Sequence, residues 1–159
     1  MAKAFFAGVV QGIADFKPDI VGHFDLVVKF NGAGDLFDED SKAYQGAALE
    51  AADAAADILQ GYGGIVEVNT GAMSRGYRNL PYPLPFVLRH VARRGGRVMI
   101  KIYRHAMDPL EYKYDEALAL VRQAGIDSMT RLQGGRLLGG TRSAVQKRHP
   151  TRLCVMRSE

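Results

Sequence analysis

The chain changes between helical and strand-like hydrophobic patterns in a regular order. Over residues 3–16, Phe5, Phe6, Val9, Val10 and Ile13 recur at helical spacing and predict one apolar face. Pro18 disfavours helical geometry at Lys17 and ends that helix. Ile20, Val21 and Gly22 read as a short buried strand with His23, Phe24 and Asp25 at its carboxyl end. Residues 26–30 continue that segment, with Lys29 inside it, and residues 31–35 form a loop. Residues 41–60 predict the longest helix, with Tyr44, Ala47, Ala48, Ala51, Ala55 and Ile58 on one face. So many small side chains allow close approach to a sheet. Gly61 to Gly64 end it. Residues 65–68 are short, apolar and β-branched, as in a strand covered on both faces. Helices over 86–94 and 112–124, a strand over 97–102 and a weak strand over 128–132 follow, and residues 136–138 could extend the sheet. Three prolines between 81 and 85 make a rigid connector.

This alternation of helices and strands predicts βαβ units and a parallel sheet, hence an α/β fold. No internal repeat is visible. After Gly139 the periodicity fades, so residues 1–140 are expected to form one domain and 141–159 a loose basic tail. A chain of 159 residues is long enough for a single domain with a real core. Its 47% hydrophobic and 24% charged residues exclude a disordered chain. No apolar run approaches the roughly 18–20 residues that cross a bilayer. The start, Met1 to Val10, has a faint signal-peptide character, but Gln11, Asp15 and Lys17 follow at once, so secretion is not expected. The single cysteine, Cys154, cannot form an intrachain disulfide, which fits a reducing cytoplasm. The tail's five basic residues and one acid account for the whole net charge of +4. The remainder is formally neutral, so no basic field points to specific nucleic-acid binding.

Candidate chemistry concentrates where strands end. Glu67 and Asn69 have the same strand parity and share a face. Buried there, a carboxylate and an amide are costly unless paired or used. Ser74, Arg75 and Arg78 follow, spaced by Gly71 and Gly76. In α/β sheets ligands bind at the carboxyl ends of strands, and this loop has the makings of an anion site. A parallel sheet would bring His23, Asp25, Glu67, Asn69, Arg75 and His105 to one edge. His23 and His105 are candidate metal ligands. Lys29, Asn69 and Arg75 are candidate phosphate contacts. Metal-assisted phosphate-ester hydrolysis is the implied chemistry. Each residue also has an ordinary reading: a hydrogen-bonded structural histidine, an Asp25 that caps a turn, surface arginines, a core Glu67 satisfied by backbone N–H groups. Spacing alone leads only to an α/β protein with an anion or metal site.

A family resemblance extends this. Residues 19–30, including Gly22-His23-Phe24-Asp25, resemble a signature segment of histidinol-phosphatases of the polymerase-and-histidinol-phosphatase (PHP) superfamily. Residues 67–78 with Pro81-Tyr82-Pro83 resemble a second segment, and residues 95–100 the approach to a third. The resemblance runs from about Phe5 to Leu138. It implies the carboxyl-terminal part of a distorted (βα)7 barrel with a multinuclear site for Zn, Mn or Fe ions. It also implies hydrolysis of L-histidinol phosphate to L-histidinol and phosphate, in histidine biosynthesis. In that pattern His23 and His105 would bind metal, and Lys29, Asn69 and Arg75 the substrate. Two departures stand out. The family's opening His-x-His strand has no counterpart here. The third segment, Ser-Ser-Asp-Ala-His in the family, reads Lys101-Ile102-Tyr103-Arg104-His105, so Tyr103 replaces a ligand. The alternative is therefore a truncated or degenerate relative that keeps only an anion site. An incomplete barrel leaves strand edges open, which implies a homo-oligomer or a separate amino-terminal half as partner.

Overall fold

A computed structural model describes residues 1–31, 34, 36–101 and 114–139. The expectations for Tyr103, His105 and the 141–159 tail lie outside these residues.

Helix α1 (Ala2–Phe16) buries Phe6 and Ile13 and packs along helix α2 (Lys42–Tyr62). It stops at Lys17, whose φ of 45° is left-handed, just before Pro18. Strand β1 (Ile20–Val21) then enters the sheet. Ser41 caps α2 by accepting a hydrogen bond from Tyr44 N at 3.2 Å. The buried face of α2 carries Tyr44, Ala48, Ala51, Ala52, Ala55, Ala56 and Leu59, so the alanine face read from the sequence is the packing face. Gly63, at φ 81°, closes the helix by donating its N–H to Leu59 O at 2.8 Å.

Strand β2 (Ile65–Asn69) is buried at every position, as a central strand covered on both faces must be. A single-turn helix α3 (Gly71–Ser74) follows it. Helix α4 (Pro85–Arg93) begins with proline at its first position, where no N–H is needed, and buries Val87, Leu88 and Val91. Strand β3 (Val98–Lys101) completes a three-stranded parallel sheet of order β1-β2-β3. Ile20 and Val21 register with Ile65 and Val66, and Val66 to Asn69 with Val98 to Lys101. Helices α2 and α4 are the two crossovers. His90 of α4 meets Asp53 of α2 at 2.8 Å, and Arg94 contacts Asp53 and Asp57, tying the crossovers together at their surface. Helix α5 (Tyr114–Gln123) buries Ala117, Leu118 and Val121. The architecture is α/β with alternating elements and a parallel sheet, compatible with part of a βα barrel.

Two sequence expectations fail here. Residues 26–30 do not continue β1; Leu26–Phe30 is a 3-10 helix. The cause lies just upstream, where His23 adopts φ 52° and reverses the chain out of the sheet. Nor do residues 128–138 extend the parallel sheet. Thr130 N donates to Val98 O at 2.8 Å, and the chain then leaves as an antiparallel hairpin of β4 (Arg131–Gln133) and β5 (Arg136–Leu138). Gly134 and Gly135, both at positive φ, supply the turn that two-residue hairpins require.

Candidate functional site

The sheet brings the ends of its three strands together, as parallel order demands. Glu67 on β2 is the centre, with a side chain only 3% exposed. Asn69, two residues on and on the same face, donates Nδ2 to Glu67 Oε2 at 3.0 Å. Asn69 Oδ1 in turn accepts from Gly71 N at 2.9 Å, so the amide links the carboxylate to the start of α3. From β1 comes His23, whose Nδ1 lies 3.5 Å from Glu67 Oε2. The left-handed backbone at His23 is what turns its ring toward β2, where it also lies 5.6 Å from the Tyr82 ring. A non-glycine residue rarely adopts that conformation, and histidine is among the types that do. Gly22 is a close approach of another kind: a Cβ there would lie 3.0 Å from Glu67 Oε2. From β3 comes Lys101, registered opposite Asn69, with Nζ 3.4 Å from Glu67 Oε1.

Charge sets the state of this cluster. Burial draws the His23 pKa below its usual value. Glu67 opposes that, while the positive charges of Lys101, Arg75 and Lys29 reinforce it. His23 is therefore predominantly neutral at pH 7. Arg75 is braced by Nε donating to Gly71 O at 2.9 Å, and its guanidinium lies 5.6 Å from the Tyr77 ring centre. Lys29 lies in the last turn of the 3-10 helix and is exposed to solvent.

Of the residues singled out in the sequence, His23, Glu67 and Asn69 are in direct contact, and Lys29 and Arg75 bear on His23 through charge. Two others serve structure. Arg78 is no anion contact: its guanidinium holds Glu39 through both nitrogens, at 3.1 and 2.6 Å, and donates to Val28 O at 2.8 Å. Although burial pulls its pKa down, the Glu39 hydrogen bond and charge hold it raised. Asn31 joins that cluster, with Nδ2 on Glu39 Oε1 at 3.1 Å. Asp25 neither caps the turn beside it nor reaches the site. It is fully buried and accepts Leu84 N on Oδ2 at 2.7 Å. Lys101 entered the sequence reading only as part of the departing third segment, and its contact with Glu67 was not foreseen. Its signal was available: it stands at the same strand end as the third segment's polar residues, and parallel register places it opposite Asn69.

The metal that the family resemblance implies is a poor fit to this arrangement. Among the described residues no three His, Cys, Asp or Glu side chains are grouped to hold an ion. Both oxygens of Glu67 have protein partners, and one of these is an ammonium. An ion coordinating Glu67 at about 2.0–2.2 Å would sit close to a positive charge. An apolar hollow of about 170 Å³ lies elsewhere, at the amino end of β2, walled by Ala52, Ala55, Ala56, Leu59 and Val91.

No family model matches the chain. Over 120 residues it is 25% identical to a Schizosaccharomyces pombe protein described as a probable histidinol-phosphatase. The match covers 74% of this chain and 37% of that protein. The chain thus spans well under half the length of the curated relative it matches, and the similarity supports a distant, histidinol-phosphatase-like relationship. Among the described residues no helix is long and apolar enough to cross a membrane.

Proposed function

We propose that this chain carries the phosphate-monoester site of a histidinol-phosphatase-like hydrolase, with L-histidinol phosphate as its substrate. The observation that carries the reading is the meeting of Lys101 and His23 on the buried Glu67, with the positive charges of Arg75 and Lys29 also felt at His23. Three cations at the carboxyl edge of a parallel sheet suit a dianionic phosphate. In this reading Lys29 and Arg75 neutralise the phosphoryl oxygens. Asn69, held by Gly71 N and by Glu67, keeps the start of the β2–α3 connection in register with them. The distant relative's description supports the same substrate class. Binding of L-histidinol phosphate tests it, and Arg75→Ala should weaken that binding about ten-fold, as loss of a charged hydrogen bond does. Binding no tighter than to inorganic sulfate, and indifferent to Arg75→Ala, would remove the reading.

A second reading is favoured by the Lys101–Glu67 contact: an anion receptor without turnover. Phosphate release from L-histidinol phosphate, with and without added Mn²⁺ or Zn²⁺, separates the two. Turnover that His23→Ala abolishes supports the hydrolase. Binding without turnover under every metal condition supports the receptor.

A further inference from the structure

Glu67 needs a counter-charge. A carboxylate this deeply buried is stable as an anion only when it is paired and hydrogen-bonded. Hydrogen bonding comes from Asn69 at 3.0 Å, and His23 Nδ1 lies farther off, 3.5 Å from the same oxygen. Among the described residues the cation in contact with it is the Lys101 ammonium, 3.4 Å from Oε1. Its position is dictated by the sheet. Lys101 pairs with Asn69 across the β2–β3 ladder, so it projects from the same face as Asn69 and Glu67. The lysine stem is half-exposed while the carboxylate it meets is not. Solvent can therefore reach the ammonium from outside, and an anionic ligand at the sheet edge can do the same.

We propose that Lys101 is the built-in counter-cation of Glu67, so that the site receives a phosphate-type anion without a divalent metal, and that the ammonium and a divalent ion exclude each other at Glu67. The inference deepens the phosphate-site reading and rests on it for the choice of anion. Metal binding, rather than turnover, is what it predicts, so the two can fail separately. Glu67 acts here through Lys101, setting the position of the ammonium that faces the ligand.

Mn²⁺ titration of the full chain by calorimetry, with circular dichroism to confirm folding, provides the test. Lys101→Met should bind Mn²⁺ at least about ten-fold more tightly than the unaltered chain, a factor typical of changes beside a metal site. Adding Glu67→Gln to that variant should abolish the gain, and Lys101→Arg, which keeps the charge, should leave Mn²⁺ binding as it was. Equal Mn²⁺ affinity in the unaltered chain and Lys101→Met would overturn the proposal, as would a gain that survives Glu67→Gln. The unaltered chain gives a second readout that needs no variant. Inorganic phosphate should bind equally well in EDTA and in Mn²⁺. Phosphate binding that disappears in EDTA and returns with Mn²⁺ would overturn the metal-independent site. Failure to bind phosphate in either condition would count against the phosphate reading, while the Mn²⁺ titration still judges Lys101.

Discussion

Two buried carboxylates, Glu67 and Asp25, are exposed to 2% and 0% respectively, yet they solve the problem of burial differently. Glu67 has partners on both oxygens: Lys101 on one, Asn69 and His23 on the other. Asp25 has Leu84 N on Oδ2, while Oδ1 has no hydrogen-bond partner among the described residues. Burial pushes the Asp25 carboxyl up to about 7, against the pull of the Leu84 N–H and the more distant Arg78 charge. One acid is met by a cation, an amide and an imidazole, and the other keeps its proton. An acid at a strand end is thus not by itself a sign of chemistry; what identifies the site is the set of groups that meet the acid.

The largest expected effect tests the Asp25 half of this comparison. The folded pKa lies above the unfolded value of 3.8. Between about pH 4 and pH 7 the folded chain keeps a proton that the unfolded chain has lost. Stability from this group is therefore fully present below about pH 4 and falls as pH rises toward 7. A full one-proton difference is worth about 1.4 kcal/mol per pH unit, or about 4 kcal/mol across the window. Asp25→Asn keeps an acceptor for Leu84 N and removes the titration. Urea unfolding from pH 4 to pH 8 should show a falling midpoint in the unaltered chain and a flatter one in Asp25→Asn, with the variant the more stable at pH 8. Parallel curves for the two would mean that Asp25 is ionised when folded, and the contrast with Glu67 would collapse.

The Glu67 half predicts the opposite sign. Glu67→Ala removes the partner of a cation and an amide together and leaves a void beside Gly22. The cost should be about 3 kcal/mol at pH 7, at the low end for a broken buried pair because Lys101 can rehydrate. A loss no larger than that of an ordinary surface substitution, about 0.5 kcal/mol, would mean that the contacts of Glu67 contribute nothing to stability.

The sequence revealed one of these acids much better than the other. Strand parity placed Glu67 beside Asn69, and their hydrogen bond follows from it. The parallel order of β1, β2 and β3 brought His23 to the same place. Nothing in the local pattern disclosed that His23 would take a left-handed backbone and send residues 26–30 into a 3-10 helix. Asp25 consequently turns inward toward Leu84, 59 residues downstream. Arg78 was illegible for the same reason, since its partner Glu39 lies 39 residues upstream in a loop with no periodic signal. Helix faces and strand faces repeat and can be counted. Bonds between a turn and a distant loop depend on tertiary closure, which periodicity does not encode. The weak strands after residue 128 fall between these cases. Their residues suit β structure, but the paired glycines at 134 and 135 favour a hairpin over entry to the parallel sheet.

The smallest predicted effect concerns the tyrosine hydroxyls that share the Asp25 interior. Tyr44 Oη and Tyr82 Oη are buried and lack a hydrogen-bond partner among the described residues. Burial, followed by the negative charge of Asp25, raises the Tyr44 pKa, so the phenol keeps its proton throughout the physiological range. A hydroxyl that makes no bond contributes little, and losing it spares a buried polar group its desolvation. The ring itself is well held, 5.1 Å from Phe37 and 5.9 Å from Phe6, and phenylalanine keeps those contacts. Tyr44→Phe should therefore change stability by less than about 0.5 kcal/mol at pH 5, in contrast to the roughly 1 kcal/mol lost with a satisfied hydroxyl. Measured again at pH 8, the same variant sharpens the comparison. If ionised Asp25 recruits the phenol as a donor, Tyr44→Phe becomes costly only at the higher pH, and Asp25 then resembles Glu67 in drawing a partner to its charge. If the variant stays neutral at both pH values, Asp25 relies on its proton alone.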